Sequence, residues 1–455
     1  MKIHSETNIK LPFINTTIPT DIFLLFVFVP LWWVLGVDHF IWFAVTLWMF
    51  IKLLLKGNVV LTKTTKLMLV FLLISLISAC FIEENYRVLT FMRNFFAFTS
   101  VWLLTVCLTN AVKNEKQIKN LFWGLTIVAF FASFLGMLAI THIFSPHFET
   151  FTKYLIPDSL KSFGLVRAIY SKGTSTIDYF AGRMIIRPNS FFMGCTTYGT
   201  ALVILIPIVC FLFIRTRGFK KLFLFATLIL LLINLGFNIT RGAILSLFIA
   251  TAIYNCKKFG ISKKYIAVLL LLISMSYICL NPGFFIELKN TTQNIVNWRG
   301  TGSQRDRMII YKATLQELLK RPLFGYGTQR DMPEISYYPI GSHSGYLGVL
   351  YRYGIIGFFF YALILFSIYK YTKIPKSVYL TNSFLAKSID FLTIAFYGSI
   401  LNQFVEEPDL DLMTFHIVWL SFGLLITAHR LLVAEQKQKL LLVNSNSFSD
   451  IQKTL

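Results

Sequence analysis

The sequence predicts an all-α polytopic membrane protein of about twelve transmembrane helices with two long extracytoplasmic loops, the second containing an amphipathic helix. Three observations predict it. The 455 residues are 56% hydrophobic and only 14% charged, with a mean hydropathy of +0.65, too apolar for a chain whose surface must meet water. The apolar runs are about 16 to 25 residues long, which is what a helix needs to cross roughly 30 Å of hydrocarbon. Lysine and arginine gather in alternate connections, as the positive-inside rule requires.

The runs lie near 20–37, 39–55, 67–82, 91–109, 120–143, 191–214, 222–238, 242–255, 265–280, 344–368, 384–404 and 412–429. The opening MKIHSETNIKLPF is polar and no small-residue cleavage pattern follows the first run, so that run is expected to be retained as a span. Lys52, Lys56, Lys63 and Lys66 are read as one cytoplasmic connection. Lys113, Lys116 and Lys119 form the next, followed by Arg215, Arg217, Lys220 and Lys221, by Lys257, Lys258, Lys263 and Lys264, and by Lys370, Lys373 and Lys376. The connections between them, Gly36 to His39, Glu83 to Arg87, Asn238 to Arg241 and Glu406 to Asp411, are nearly free of lysine and are expected outside. Both termini are then cytoplasmic. The two long connections, near 144–190 and 281–343, also fall outside although both are basic, giving an outer surface suited to phosphate or acidic glycan.

Three regions follow: N-terminal spans and first outer loop over 1–190, a central region over 191–368 with the second outer loop, and C-terminal spans and tail over 369–455. Cys80, Cys107, Cys195, Cys210, Cys256 and Cys279 all lie within or at the ends of apolar runs, so no disulfide framework or zinc spacing is expected. The net charge of +22 is scattered between spans instead of forming a stripe, which favours lipid phosphate over nucleic acid as a partner. Within the second loop, Asp306 to Arg321 carries Met308, Tyr311, Leu315, Leu318 and Leu319 at helical spacing and stops at Pro322. Such a helix either caps the bundle or lies along the membrane surface, offering Arg305 and Arg307 near its start to an anion.

Few residues stand where chemistry needs them. Arg241 sits between two apolar runs at the outer boundary, a costly position that usually implies an anionic partner, although a snorkelling arginine is the plain alternative. His343, where the second loop enters a span, is the best candidate base, because imidazole alone titrates near neutrality. A structural histidine is commoner at such a place, and His416 is its main rival. Glu406, Glu407, Asp409 and Asp411 form the one dense acidic group; a solvated outward turn is expected there in preference to a metal site, and Glu83 and Glu84 are read the same way. No P-loop, dinucleotide fingerprint, G-x-S-x-G or His-Glu-x-x-His occurs, which argues against ATP hydrolysis.

Four segments in order, GRMIIRPNSFFMGCTTYGTALVILIP, NITRGAILSLFIA, SQRDRMIIYKATLQELLKRPLFGYG and HSGYLGVLYRYGIIG, resemble the bacterial O-antigen ligase and polymerase superfamily. The resemblance covers about residues 182 to 368. In that family a loop histidine begins a His-Asn motif ending in glycine; here His343 is followed by Ser344, with Gly354 at the expected distance, and Arg352 stands where many relatives have an acid. The family's arginines correspond to Arg241 and to Arg307, with Arg305 as the alternative, and Arg187 of the first segment is counted among the diphosphate-binding residues.

What the resemblance implies is inverting transfer of a glycan from a polyprenyl diphosphate to a hydroxyl acceptor, most simply lipid A core, at the outer face of the cytoplasmic membrane. No metal or cofactor is implied. Polymerisation of O-antigen or capsular repeat units is the alternative within the family. A flippase or secondary transporter is the rival from another class, disfavoured because no paired halves are visible and the spans are expected to lack buried acids. A metal-dependent sugar transferase using Glu83 or Glu84 is a third reading.

Overall fold

The computed structural model describes residues 17–57, 59–161, 164–180, 183–258, 302–332, 335–374 and 383–454. Every apolar run within them is helical; the run at 265–280, with Cys279, Lys289 and Arg299, lies outside them. Helices α1 (Ile18–Val27) and α2 (Val29–Leu35) form a pair bent by 56°. Pro30 explains the bend, since it lacks an N–H and its ring collides with the preceding turn. The chain continues through α3 (Ile41–Leu55), α4 (Lys63–Ala79), α5 (Arg87–Ala111) and α6 (Glu115–Ile140). The first long loop holds β1 (His147–Glu149), α7 (Asp158–Lys161), α8 (Gly164–Tyr170), β2 (Ser171–Gly173), β3 (Ser175–Phe180) and β4 (Arg183–Pro188). After it come α9 (Cys195–Arg215), α10 (Phe219–Asn238) and α11 (Arg241–Lys258). The second loop supplies α12 (Gly302–Lys320), β5 (Arg330–Met332) and β6 (Ile335–Ile340). Helices α13 (Gly345–Tyr369), α14 (Phe384–Asn402) and α15 (Leu412–Thr454) follow.

Seven of the described helices are long and apolar enough to cross a membrane, or eight if the bent pair counts as one span. This is an all-α multi-pass membrane protein. The expected number near twelve exceeds this because runs such as α3 and α11 form shorter helices. Helix α9 is the axis of the bundle: 83% of its apolar window is buried, against 33% for α10, whose Phe225, Ile229 and Leu232 stay exposed as lipid-facing residues do. Around α9 pack α6, α10, α14 and α15.

The strand pairs were not expected. β1–β2, β3–β4 and β5–β6 are each two-stranded and antiparallel, and all belong to the two long loops. The four short connections assigned to the outside each touch one of these loops. Lys172 reaches Asp38, Arg321 reaches Glu83, Arg187 reaches Asn238, and Arg307 reaches Glu406. They therefore gather at one end of the bundle.

Two expectations about charge are corrected. Lys52 is not in a loop: it lies inside α3, buried and paired with Asp21 of α1 at 2.7 Å. Buried acids do occur in the spans, since Asp390 of α14 is buried 3.4 Å from Lys258 of α11. Each has a cation beside it, which is how an intramembrane carboxylate is tolerated.

Helix α13 is broken at Gly354, whose φ of 65° and ψ of −170° suit glycine alone. The break releases backbone groups, and the 322–327 segment takes them up. Ile355 and Ile356 donate to the carbonyls of Pro322 and Leu323, while Tyr326 and Gly327 donate to the carbonyls of Tyr351 and Arg352. Four such bonds fix the end of α12 on the outer part of α13 and satisfy backbone groups beside the break. A methyl at position 354 would collide with the Leu323 carbonyl.

Candidate active site

Helix α12 organises the outer rim. Its buried positions are Ile310 and Thr314, whereas Met308 and Leu319, expected on the packed face, are 73% and 80% exposed. The reason is local. Thr314 accepts the Gly341 N–H through its hydroxyl, and Ile310 packs with Tyr326, Ile340 and Tyr351, so a mixed face meets β6 and α13. Arg307 and Tyr311 stand one turn apart and so share a face. Arg307 donates to the Val405 carbonyl and to Glu406, both at 3.0 Å, and the Tyr311 hydroxyl donates to the His343 carbonyl at 2.8 Å. One face of α12 thus holds the 402–406 turn and the histidine loop together. The side chain of Arg305 lies outside the described residues.

His343 has a left-handed backbone, φ 62°, rare for a residue with a side chain. Ser344 beside it is the N-cap of α13: its side chain accepts the Leu347 N–H and donates to the Gln403 carbonyl. Serine is well suited to that N-cap position. Gly345 N–H also bonds the carbonyls of Gln403 and Glu406. The histidine is therefore anchored to the same turn that Arg307 grips.

Arg241 is the first residue of α11 and is exposed, next to Gly242, which packs against Val405 and Asn402 of that turn. The bend before it is held rigidly. Arg187 of β4, 2% exposed, directs its guanidinium to the Asn238 carbonyl at 2.8 Å, to Asp178 at 2.8 Å and to the Thr240 hydroxyl at 3.3 Å. Asn238 in turn donates to the carbonyls of Pro188 and Cys195. The structure thus brings Arg241, Arg307 and His343 to one turn, and places Arg187 behind it.

His416 is excluded as a rival base on position. It is fully buried, its Nδ1 is 2.6 Å from the Leu412 carbonyl and its Nε2 2.6 Å from the Ser100 hydroxyl, and it stacks on Trp42 at 4.3 Å.

The acidic group is not the solvated turn expected of it: Glu406, Glu407, Asp409 and Asp411 are all buried. Glu406 takes Arg307, Glu407 accepts from Gln329 at 2.7 Å, Asp409 lies 2.6 Å from Arg352, and Asp411 caps α15 through the N–H groups of Met413 and Thr414. Arg352, itself buried, is thereby matched by an acid from a distant turn. Glu83 and Glu84 remain partly exposed, bound by Arg321, Arg330 and Arg87. Sequence reasoning missed these partners because they come from separate spans and loops.

Burial, with Asp409 beside it, pushes the Glu407 carboxyl up to about 8. Since the folded state holds this proton more tightly than the unfolded one, stability from this group is complete below about pH 4.5 and declines as pH rises to about 8. The expected result is that Glu407→Gln flattens the fall of Tm between those limits; a wild-type curve and a variant curve of equal slope would count against it.

Residues 190–362 match the family model described as O-antigen ligase. The chain carries an O-antigen ligase family domain over these residues. The match contains Arg241, Arg307 and His343, and it begins three residues after Arg187. No curated protein matches the chain. The O-antigen ligase family domain therefore supplies α9 to α13 of the rim, while the turn that joins its parts comes from beyond it, between α14 and α15.

Proposed function

We propose that the enzyme transfers a glycan from a polyprenyl-diphosphate carrier to a hydroxyl acceptor at the outer face of the cytoplasmic membrane, acting as a ligase on lipid A core ahead of a polymerase on repeat units. The observation that carries this reading is the convergence of Arg241, Arg307 and His343, all three within the residues that match this family, on the 402–406 turn. Both termini are assigned to the cytoplasm on the charge of the short connections.

In this mechanism the acceptor oxygen attacks the sugar C1 as the C1–O bond to diphosphate breaks. His343 takes the acceptor proton, and the diphosphate leaves with the bonding pair. Arginine forks suit the growing charge on the diphosphate oxygens because they donate bidentately and stay ionised. Arg241 is given the principal diphosphate contact, with Arg307 beside it, and Arg305 is kept as the alternative to Arg307. Arg187 acts as a positioning residue, bracing the bend that presents Arg241. Attack from the face opposite the leaving group inverts the anomeric centre.

These roles separate in a binding measurement. Arg241→Ala and Arg307→Ala are expected to weaken polyprenyl diphosphate binding to the nanodisc-embedded enzyme by about tenfold or more, whereas His343→Ala leaves it unchanged. Equal affinity in all four proteins would remove the arginines from the diphosphate site.

A further inference from the structure

A cavity of about 550 Å³ opens between the α2–α3 turn, strands β1 to β4 and the start of α15. Its size is within the roughly 300–1,000 Å³ of small-molecule sites. Gly36, in the left-handed conformation, ends α2 and turns the chain so that Asp38 and His39 border the space. Trp33, Phe191 and Phe192 supply aromatic walls.

Its polar groups are built into the fold. Lys172 of β2 places its Nζ 2.8 Å from both oxygens of Asp38, and both side chains are buried. Asn189 donates to the Thr176 hydroxyl at 2.5 Å, but its Oδ1 is buried with no hydrogen-bond partner among the described residues. The same holds for Nε2 of His39, whose side chain is 7% exposed and whose Nδ1 lies 3.3 Å from Asp38. A buried polar atom left so is costly. Two of them bordering one cavity mark where a ligand's hydroxyls belong.

The charge balance identifies the ligand class. Asp38 is offset by Lys172, Asp411 adds a second carboxylate, and no arginine among the described residues lines the space, so an anion is disfavoured. Aromatic faces with histidine, amide and hydroxyl groups suit an uncharged polyhydroxylated ring, stacked on one face and hydrogen-bonded around its edge. We infer that this cavity is a saccharide subsite that holds the sugar portion of a transfer substrate away from the reacting bond. The source of that sugar, donor glycan or acceptor glycan, rests on the transferase reading above. Continuity with the rim supports it: Asn189 follows Arg187 by two positions, and Asp411 ends the acidic connection that begins at Glu406.

The test is calorimetric titration of the full-length protein in nanodiscs with two lipid-free probes. One is the oligosaccharide released by mild acid from the source cell's polyprenyl-diphosphate glycan, the other its deacylated lipopolysaccharide core. One of the two is expected to bind, which names the source. Asn189→Ala should weaken it about tenfold through a lost hydrogen bond, and Ala168→Trp, which fills the cavity, should abolish it. Both variants should keep polyprenyl diphosphate binding, which shows that they are folded. Failure of both probes to bind at millimolar concentration, or undiminished binding in both variants, overturns the inference. Saccharide binding by a protein that never binds polyprenyl diphosphate would uphold the subsite and overturn the transferase reading alone.

Discussion

Replacing Gly354 by alanine is expected to detach the outer loop from the bundle and to abolish transfer. An L-residue at φ 65° and ψ −170° is strained by about 1–3 kcal/mol, and its methyl meets the Leu323 carbonyl as well. Relief requires either straightening α13 or moving the 322–327 segment. Both routes break the four backbone bonds between them. Because α12 leads directly into that segment, Arg307 and Tyr311 lose their register against the 402–406 turn and His343. Limited proteolysis near residues 322–332, compared with wild type, reads the detachment. A variant as protease-resistant and as active as wild type would show that the break at Gly354 does not anchor α12.

The second large effect is at the buried ion pair of Arg352 with Asp409. Arg352→Met leaves a buried carboxylate without its cation, which costs about 3–5 kcal/mol, and Glu407 nearby already resists ionisation. The double variant Arg352→Met with Asp409→Leu is expected to recover most of that loss, because two apolar side chains need no mutual compensation. Thermal unfolding of the single and double variants checks it. Equal destabilisation in both would mean that the pair acts through packing instead of charge.

The helices of this protein were legible because crossing a membrane demands a long apolar run, and alternating lysines then divide the connections into two sets. The strand pairs were not. At three to six residues in polar loops they carry no alternation that distinguishes them from irregular chain. Arg241 and His343 were visible as polar residues at span ends. Their common anchor was hidden, since the 402–406 turn lies far from either in sequence and joins them through Arg307, Ser344, Gly345 and Gly242. The acidic connection looked solvated for the same reason: its partners Arg307, Gln329 and Arg352 come from other segments. Ser344 shows the reverse case. Its departure from the expected motif places a favoured N-cap residue where α13 starts.

In the proposed mechanism an arginine-held diphosphate and a histidine base perform the transfer at one rim. The most direct measurement is transfer by purified enzyme reconstituted with lipid-linked oligosaccharide and candidate acceptors, in the presence of chelator and without ATP, comparing wild type with folded His343→Ala and Arg241→Ala. The account predicts glycan transfer by wild type and none by either variant. Full activity in both folded variants, or no transfer by wild type to any acceptor, would contradict it.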